Sequence, residues 1–236
     1  MIEHVKLSEL KKLIAPIKEW LKQRYGEAEG GRIWNAVCRQ YDEYVKELPD
    51  YGGRKNAHAL SVYGGVLIFA LYTQLPEQPP IEEMQDFVQG LFMAPFVKLG
   101  KIFDLNRKAD MRLINQVFYK IGEKDRKQIK QYPCTFCNVV VPYDKENHAA
   151  RYIFTQCPNA EFAKAHGLLH VLPVLCNSDF YGISMLNGTL IRRGTCGNSS
   201  ACDYCVVGSH NPMAQEYEIV KDEGGFLVSR EKNKKD

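Results

Sequence analysis

The sequence predicts an α+β fold in which a helical N-terminal half packs on a C-terminal half with a small, mostly antiparallel sheet. Apolar residues recur at three- or four-residue spacing through residues 1–132, which is typical of helices with one buried face. From residue 133 the pattern changes to short stretches rich in β-branched and aromatic residues, within a cysteine-rich α+β region that runs to residue 236. At 236 residues, the two regions are expected to form one compact structural unit.

Helical periodicity in the first region predicts five helices, at residues 5–24, 33–48, 59–76, 81–95 and 107–130. The glycine-rich stretch 26–31 breaks the first two apart, and Pro95 and then Gly100 interrupt the fourth. Gly64 and Gly65 lower the helix propensity of the third helix. They therefore predict that another element or a ligand approaches its backbone closely.

The third predicted helix, 59–76, is the candidate for a membrane span. It carries no charge and meets the lower length limit for crossing a bilayer. Polar side chains such as Ser61 and Gln74 dilute it, and Arg54 and His58 precede it. We therefore expect a buried core helix and no membrane association.

Four short strands are predicted in the second region, at residues 137–141, 150–156, 190–196 and 202–207. Helices are predicted between them at 159–166, with Pro158 suited to the start, and around 169–185. Gly197, Asn198 and Ser199 supply a chain reversal, so the last two strands should form a hairpin.

The bulk composition limits the classes of function. The net charge is only +3, too small to indicate a polyanion-binding protein, and no nucleic-acid partner is expected because phosphate binding needs a clustered basic surface. The first residues lack the apolar core and cleavage site of a signal peptide, so a cytoplasmic protein is expected. Eight cysteines in such a chain favour reduced thiols, metal ligands or catalytic groups over a disulfide framework.

Chemically useful side chains are concentrated in residues 149–208. This stretch holds five of the eight cysteines, which are Cys157, Cys176, Cys196, Cys202 and Cys205. Strand alternation places Cys202 and Tyr204 on one face of the return strand and Cys205 on the other. It also sends Arg192 and Arg193 to opposite faces, so one arginine should project beside Cys202. A nearby guanidinium favours the thiolate and can bind a carboxylate with two hydrogen bonds.

Two further features add candidate residues. Asp179 follows Cys176 by three positions, which on a helix puts the thiol and the carboxylate on one side. His166 stands near a predicted helix end, just before Gly167. A histidine in such a place is more often a packed residue than a ligand.

The cysteine spacing also allows a metal site. Cys134 with Cys137, and Cys202 with Cys205, are CxxC pairs of the kind that bind tetrahedral zinc. If 202–207 is a strand, however, the second pair points to opposite faces and cannot hold one metal ion. A cysteine-ligated zinc or iron–sulfur module remains the alternative. Its ligands would be Cys157, Cys176, Cys202 and Cys205.

In an ordered series of short motifs, the sequence resembles the L-2-amino-thiazoline-4-carboxylic acid hydrolase family. The series runs through FTQC (Cys157), LCNSD (Cys176 and Asp179), the strand with both arginines, a turn near Gly197, and CDY (Cys202, Asp203 and Tyr204). Upstream, ELPDYGGRKNAHALSVYGGVLIFALY is similar to that family's proline-glycine turn and apolar helix. The resemblance thus covers most of the chain. Cys134, Cys137, Cys196 and Cys205 depart from the family pattern.

The resemblance implies a hydrolase that acts on carbon–nitrogen bonds other than peptide bonds. Its substrate would be a cyclic amidine with a carboxylate, opened at the C=N to an N-carbamoyl amino acid. We expect Cys202 to be the nucleophile, and Asp203 or Asp179 to transfer protons and pair with the amidinium. Arg192 or Arg193 would bind the substrate carboxylate.

Cys157, Cys176 and His166 would complete the substrate pocket. No cofactor is expected for this activity, and a homo-oligomer is allowed. A third hypothesis for the same residues is a sensor that binds a small ligand without turnover.

Overall fold

The structure, a computed structural model, describes residues 2–232, the side chains of Ala57, Ala94 and Pro95 excepted. It has the predicted α+β fold, with a helical N-terminal half and a small antiparallel sheet in the C-terminal part. One hydrophobic core joins the two parts, since its buried residues range from Val5 in the first to Phe226 in the second.

The first long helical segment, α1 (Lys11–Glu47), is bent sharply at Gly26. Gly26 has a φ of +80°, outside the helical region, so the segment consists of the two predicted helical arms. Gly30 lies against the backbone of Leu21 so closely that a Cβ there would touch the Leu21 carbonyl. The glycine-rich break therefore allows the two arms to approach each other.

Helix α2 (Leu60–Gln74) is the centre of the core, as the apolar pattern predicted. Its residues from Val62 to Tyr72 are buried. Within residues 2–232, no helix combines the length and hydrophobicity needed to cross a bilayer. A side chain at Gly65 would collide with Asn159 and Leu175, which confirms the predicted close approach at this glycine.

Two more long helices complete the first part: α3 (Ile81–Leu99), which continues through Pro95, and α4 (Lys108–Gln131). Helix α4 packs on the sheet where Gly122 faces Val140, with no room for a Cβ between them.

The sheet has four antiparallel strands in the order β1-β2-β4-β3. They are β1 (Cys137–Val140), β2 (Ala150–Gln156), β3 (Gly188–Ile191) and β4 (Cys202–Gly208). Strands β3 and β4 form the predicted hairpin, but β3 ends at Ile191 rather than at residue 196. Residues 192–201 form a loop whose turns are closed by Thr195 and Asn198.

Short helices connect the strands: α5 (Pro158–Ala165) begins at the predicted proline, and α6 (Pro173–Cys176) and α7 (Ser178–Ser184) replace the single helix expected at 169–185. After β4, α8 (Pro212–Glu216) leads to a second hairpin of β5 (Tyr217–Lys221) and β6 (Leu227–Glu231), which was not among the predicted strands.

The two faces of the four-stranded sheet have different surroundings. Register pairs Phe154 with Cys202 and Tyr152 with Tyr204, so these four side chains share one face, here called the inner face. Asp203 and Cys205 lie on the opposite, outer face, where a small apolar cluster with residues of α8 covers part of the sheet.

Candidate functional site

Four cysteines and a charged pair lie near the inner face of the sheet, and two of the cysteines are in contact. We call this group the inner cluster, and it consists of Cys157, Cys176, Cys196, Cys202, Asp179 and Arg192. Cys157 immediately precedes α5, Cys176 ends α6, and Asp179 lies in the first turn of α7. The members are close enough that charge on one shifts the pKa of another.

Cys196 and Cys202 form a pair of buried thiols. The loop 192–201 brings Cys196 back over the first residue of β4, so the two sulfur atoms lie 3.6 Å apart. The backbone N–H of Cys196 donates to Cys202 Sγ at 3.1 Å, and Cys196 Sγ donates to the carbonyl of Phe154 at 3.3 Å. Each residue is only 5% exposed, so both thiols are buried.

The two thiols differ from an isolated cysteine in how they ionise. The hydrogen bond with Cys202 lowers the pKa of Cys196 to about 7. The same hydrogen bond, followed by burial, raises the pKa of Cys202. The backbone N–H donated to Cys202 Sγ favours negative charge on that sulfur instead, so we assign the first charge to the pair. The pair therefore holds one thiolate readily and a second only with difficulty.

Cys157 and Cys176 are half-buried thiols that stay neutral at neutral pH. Burial raises the pKa of Cys157 to about 12, although backbone amides at the start of α5 act in the opposite direction. Burial also raises the pKa of Cys176, against the effect of Arg192. Neither thiol has the thiolate character that a nucleophile needs.

Asp179, Arg192 and Tyr204 form a hydrogen-bonded triad beside the thiols. Arg192 Nη1 donates to Asp179 Oδ2 at 3.0 Å and to the carbonyl of Cys176 at 2.9 Å. The Tyr204 hydroxyl donates to the same Oδ2 at 2.6 Å. The carboxylate is thus fixed by two donors, and both of them bind the same oxygen, Oδ2.

Protein surrounds the Asp179 carboxyl, yet part of the side chain stays accessible to solvent. Burial raises its pKa, and Arg192 and Tyr204 offset this only in part. Nevertheless 41% of the side chain is exposed to a water-sized probe. A group that is surrounded by protein and yet keeps accessible surface faces a recess of the protein rather than an open surface, and half-buried Cys157 and Cys176 fit the same description. This recess is the place where a small ligand could meet the carboxylate.

Arg192 is enclosed by residues of several elements. Its side chain is 0% exposed and its guanidinium stacks on Phe180 at 4.8 Å. The second hairpin contributes the Leu227 carbonyl, 3.2 Å from Nη2, and the Ser229 hydroxyl, 3.0 Å from the backbone nitrogen of Arg192. Asn177 in turn binds the backbone of that hairpin at Leu227. Arg192 therefore contacts a carboxylate of the protein, Asp179, and leaves no surface for a carboxylate of a substrate.

Arg193 and Asp203 lie together on the outer face. Asp203 accepts hydrogen bonds from the backbone N–H groups of Arg193 and Gly194 at 2.9 and 2.8 Å, and pairs with Arg193 Nε at 3.2 Å. The Arg193 side chain is 70% exposed. Asp203 thus shapes the start of the loop 192–201 and faces away from Cys202.

The comparison with known families agrees with the resemblance noted from the motifs. A family model described as L-2-amino-thiazoline-4-carboxylic acid hydrolase matches residues 61–206, more than half of the chain. The chain belongs to this hydrolase family. No curated protein and no solved structure matches the chain.

The part of the chain matched to the hydrolase family contains every member of the inner cluster, but it ends before the second hairpin. Leu227 and Ser229, which fix Arg192, therefore lie outside the matched segment. The hairpin that completes the environment of Arg192 is thus not part of what the family model describes.

Of the other predicted residues, His166 lies outside the inner cluster. It is near Glu47 at 3.6 Å and packs on the rings of Tyr44 and Phe162. These contacts join α5 to the second arm of α1. They give His166 the role of a packed residue between helices.

The CxxC cysteines do not come together. Cys134 is exposed before β1, Cys137 begins that edge strand, and Cys205 lies on the outer face of β4. Among residues 2–232, no three His, Cys, Asp or Glu side chains are grouped as ligands of one metal ion.

Two members of the site were missed from the sequence. Cys196 was left outside the family pattern, and its contact with Cys202 arises from the turn of the loop 192–201, which no strand pattern indicates. Tyr152, stacked on Tyr204 at 4.4 Å, was noted only as part of a strand. Its place beside Tyr204 depends on the β2–β4 register, which no local pattern contains.

Proposed function

We propose that the chain hydrolyses a small cyclic amidine of the 2-amino-thiazoline carboxylate type, with Cys202 as the nucleophile. The observation that carries this proposal is the inner cluster, in which a readily ionised thiol pair lies at the same face of the sheet as a fixed and partly exposed carboxyl. The family match supports the reaction class.

The reaction proceeds through a covalent intermediate on Cys202. The thiolate adds to the electrophilic amidinium carbon, the bond from that carbon to the ring sulfur breaks, and the released sulfur takes a proton. The ring therefore opens at this C–S bond and not at the C=N that the resemblance implied, because the ring nitrogen keeps its bond to the carbamoyl carbon in the product. Water then adds to the same carbon, and the bond to Cys202 breaks and returns the thiolate. One water is consumed, and the product is an N-carbamoyl amino acid with a free thiol.

Asp179 is the proton-transfer residue and the partner of the amidinium. Its raised pKa, caused by burial, suits a group that takes a proton from water and gives one to the ring sulfur. Asp203 was the other candidate for this role, but its contacts are on the outer face. Asp179 is therefore the carboxyl that the geometry favours.

Arg192 positions Asp179 in this proposal and does not meet the substrate, because its side chain is fully buried. Arg193 turns to the outer face, so neither arginine presents its guanidinium to the recess. We therefore assign no arginine to the substrate carboxylate. Cys157 and Cys176 line the recess as neutral thiols.

The test is turnover of L-2-amino-thiazoline-4-carboxylate by the purified chain in heavy-oxygen water. We expect an N-carbamoyl product with heavy oxygen in its carbamoyl group, together with a new thiol. Acid-quenched protein should carry a substrate-derived adduct on Cys202, and Cys202→Ser should carry none. Turnover with the adduct on Cys196, Cys157 or Cys176 would refute the nucleophile. Tight binding without product would favour the ligand sensor over the enzyme.

A further inference from the structure

The Cys196–Cys202 pair has the geometry of a thiol pair that can cross-link. Its sulfur atoms are 3.6 Å apart, and a disulfide brings two sulfur atoms to about 2.05 Å. Cys196 lies in a turn of the loop 192–201, where side-chain rotation and a small backbone shift can close this gap. Cys202 is fixed at the start of β4.

The pair also has the reactivity that oxidation requires. Peroxides react with the thiolate rather than with the thiol. The hydrogen bond with Cys202 lowers the pKa of Cys196 to about 7, so at neutral pH a substantial fraction of the pair carries a thiolate. Burial keeps the neighbouring thiols Cys157 and Cys176 protonated, so they are poorer competitors for the oxidant.

We propose that Cys196 and Cys202 are a site of reversible oxidation, at which hydrogen peroxide converts the two thiols into an intramolecular disulfide. The thiolate first attacks the peroxide, the O–O bond breaks, and a sulfenic acid and one water form. The second thiol then attacks the sulfenic sulfur, the S–O bond breaks, and a second water leaves. Two thiols are oxidised by two electrons in total, and the peroxide is reduced to two waters.

Oxidation would withdraw Cys202 from catalysis and protect it from irreversible over-oxidation. This consequence for hydrolysis rests on the proposed function. Formation of the disulfide does not, because it depends only on the two sulfurs. Counting and mapping thiols therefore tests the inference even in the absence of a substrate.

The chain offers a direct way to map the bond. Trypsin cleaves after Arg193 and Lys221, which places Cys196, Cys202 and Cys205 on one peptide and leaves Cys157 and Cys176 on others. Chymotrypsin then cleaves after Tyr204, between the last two of the three cysteines. A Cys196–Cys202 bond leaves an intact cross-linked fragment, two hydrogens lighter, without the segment that contains Cys205.

The experiment treats the folded wild-type protein with stoichiometric hydrogen peroxide, blocks free thiols with iodoacetamide and maps the peptides by mass spectrometry. We expect two of the eight thiols to be lost together and to return fully with dithiothreitol. Cys205→Ser, altered three residues along on the outer face, should oxidise like the wild type, whereas Cys196→Ser should form no bond. A bond from Cys202 to Cys176 or Cys157, or sulfinic acid without any disulfide in the wild type, would overturn the proposal.

Discussion

Two consecutive arginines each form an ion pair with an aspartate, and the two pairs differ in their location and in the burial of the arginine. Arg192 binds Asp179 at 3.0 Å and Arg193 binds Asp203 at 3.2 Å. The Arg192 side chain is 0% exposed and the Arg193 side chain is 70% exposed. Two side chains that are adjacent in the sequence therefore lie in the interior and on the surface of the protein.

The difference shows where this fold concentrates its chemistry. An exposed ion pair contributes little, because water solvates each partner well when the pair is broken. The two pairs differ in their cations, since the Asp179 and Asp203 side chains are 41% and 33% exposed and only Arg192 is shielded from water. The inner pair stands beside the thiols Cys196 and Cys202, while the outer pair shapes a loop. The two faces of β4 can therefore be compared one substitution at a time.

The largest difference in kcat/KM is expected between the variants Cys202→Ser and Cys205→Ser. Serine is a much poorer nucleophile at neutral pH, so Cys202→Ser should lower kcat/KM by on the order of 10⁴-fold or more. Cys205→Ser, on the outer face, should leave kcat/KM unchanged. Steady-state kinetics on L-2-amino-thiazoline-4-carboxylate checks both, with circular dichroism to confirm folding. Equal losses in the two variants would place the nucleophile elsewhere.

The next difference is expected between the two carboxyls. Asp179→Asn removes the proton-transfer group and should reduce kcat/KM by about 10²- to 10⁴-fold. Asparagine at position 203 can still accept the backbone hydrogen bonds of the loop, so Asp203→Asn should have a much smaller effect. The measurement is kcat/KM for both variants. If Asp203→Asn were the more damaging of the two, the assignment of Asp179 would be wrong.

Local patterns were sufficient to predict β2, the burial of α2 and the two faces of β4. The bounds of β2, the start of α5 at Pro158 and the burial of α2 all follow from residue types within a short window. Alternation along β4 correctly separated Cys202 from Cys205, because the side-chain period of a strand is fixed by its backbone. The predicted family and the predicted α+β fold class of the chain were also confirmed.

The environment of the site was less accessible to sequence reasoning because distant segments build it. Leu227 and Ser229 hold Arg192 from a hairpin more than thirty residues further along, and nothing near Arg192 indicates that hairpin. The strand expected to continue to residue 196 ends at Ile191, since the loop turns to bring Cys196 onto Cys202. The burial of Arg192 is likewise a result of tertiary packing. Alternation could show only that one of the two arginines faces inward, and not which one.

A smaller difference is expected in the stability of variants at the two arginines. Arg192→Met leaves the Asp179 carboxyl without its cation and should lower the free energy of unfolding by about 2 kcal/mol, less than for a fully buried pair because 41% of the Asp179 side chain is exposed. Arg193→Met removes an exposed pair and should lower it by about 1 kcal/mol or less. Urea-induced unfolding of both variants measures the difference. Equal destabilisation would mean that the inner pair is as well solvated as the outer one.

The smallest expected effect is a pH dependence of stability that arises from Asp179. Burial raises its pKa above the ordinary 3.8, so the folded state binds this proton more tightly than the unfolded chain does. Its contribution to stability is therefore complete below pH 3.8 and is lost as pH rises through the raised pKa. Asp179→Asn removes the titrating group, so the variant should gain stability relative to the wild type as pH rises from acid to neutral.

Urea unfolding of both proteins at each pH isolates this effect, because the other carboxyls titrate alike in the two and cancel in the difference. A difference that moves against the variant with rising pH would mean that Arg192 and Tyr204 stabilise the carboxylate by more than burial destabilises it. Asp179 would then carry a lowered pKa and would be a poor proton donor. The same measurement therefore tests whether the inner pair is set up for proton transfer or, like the outer pair, only for structure.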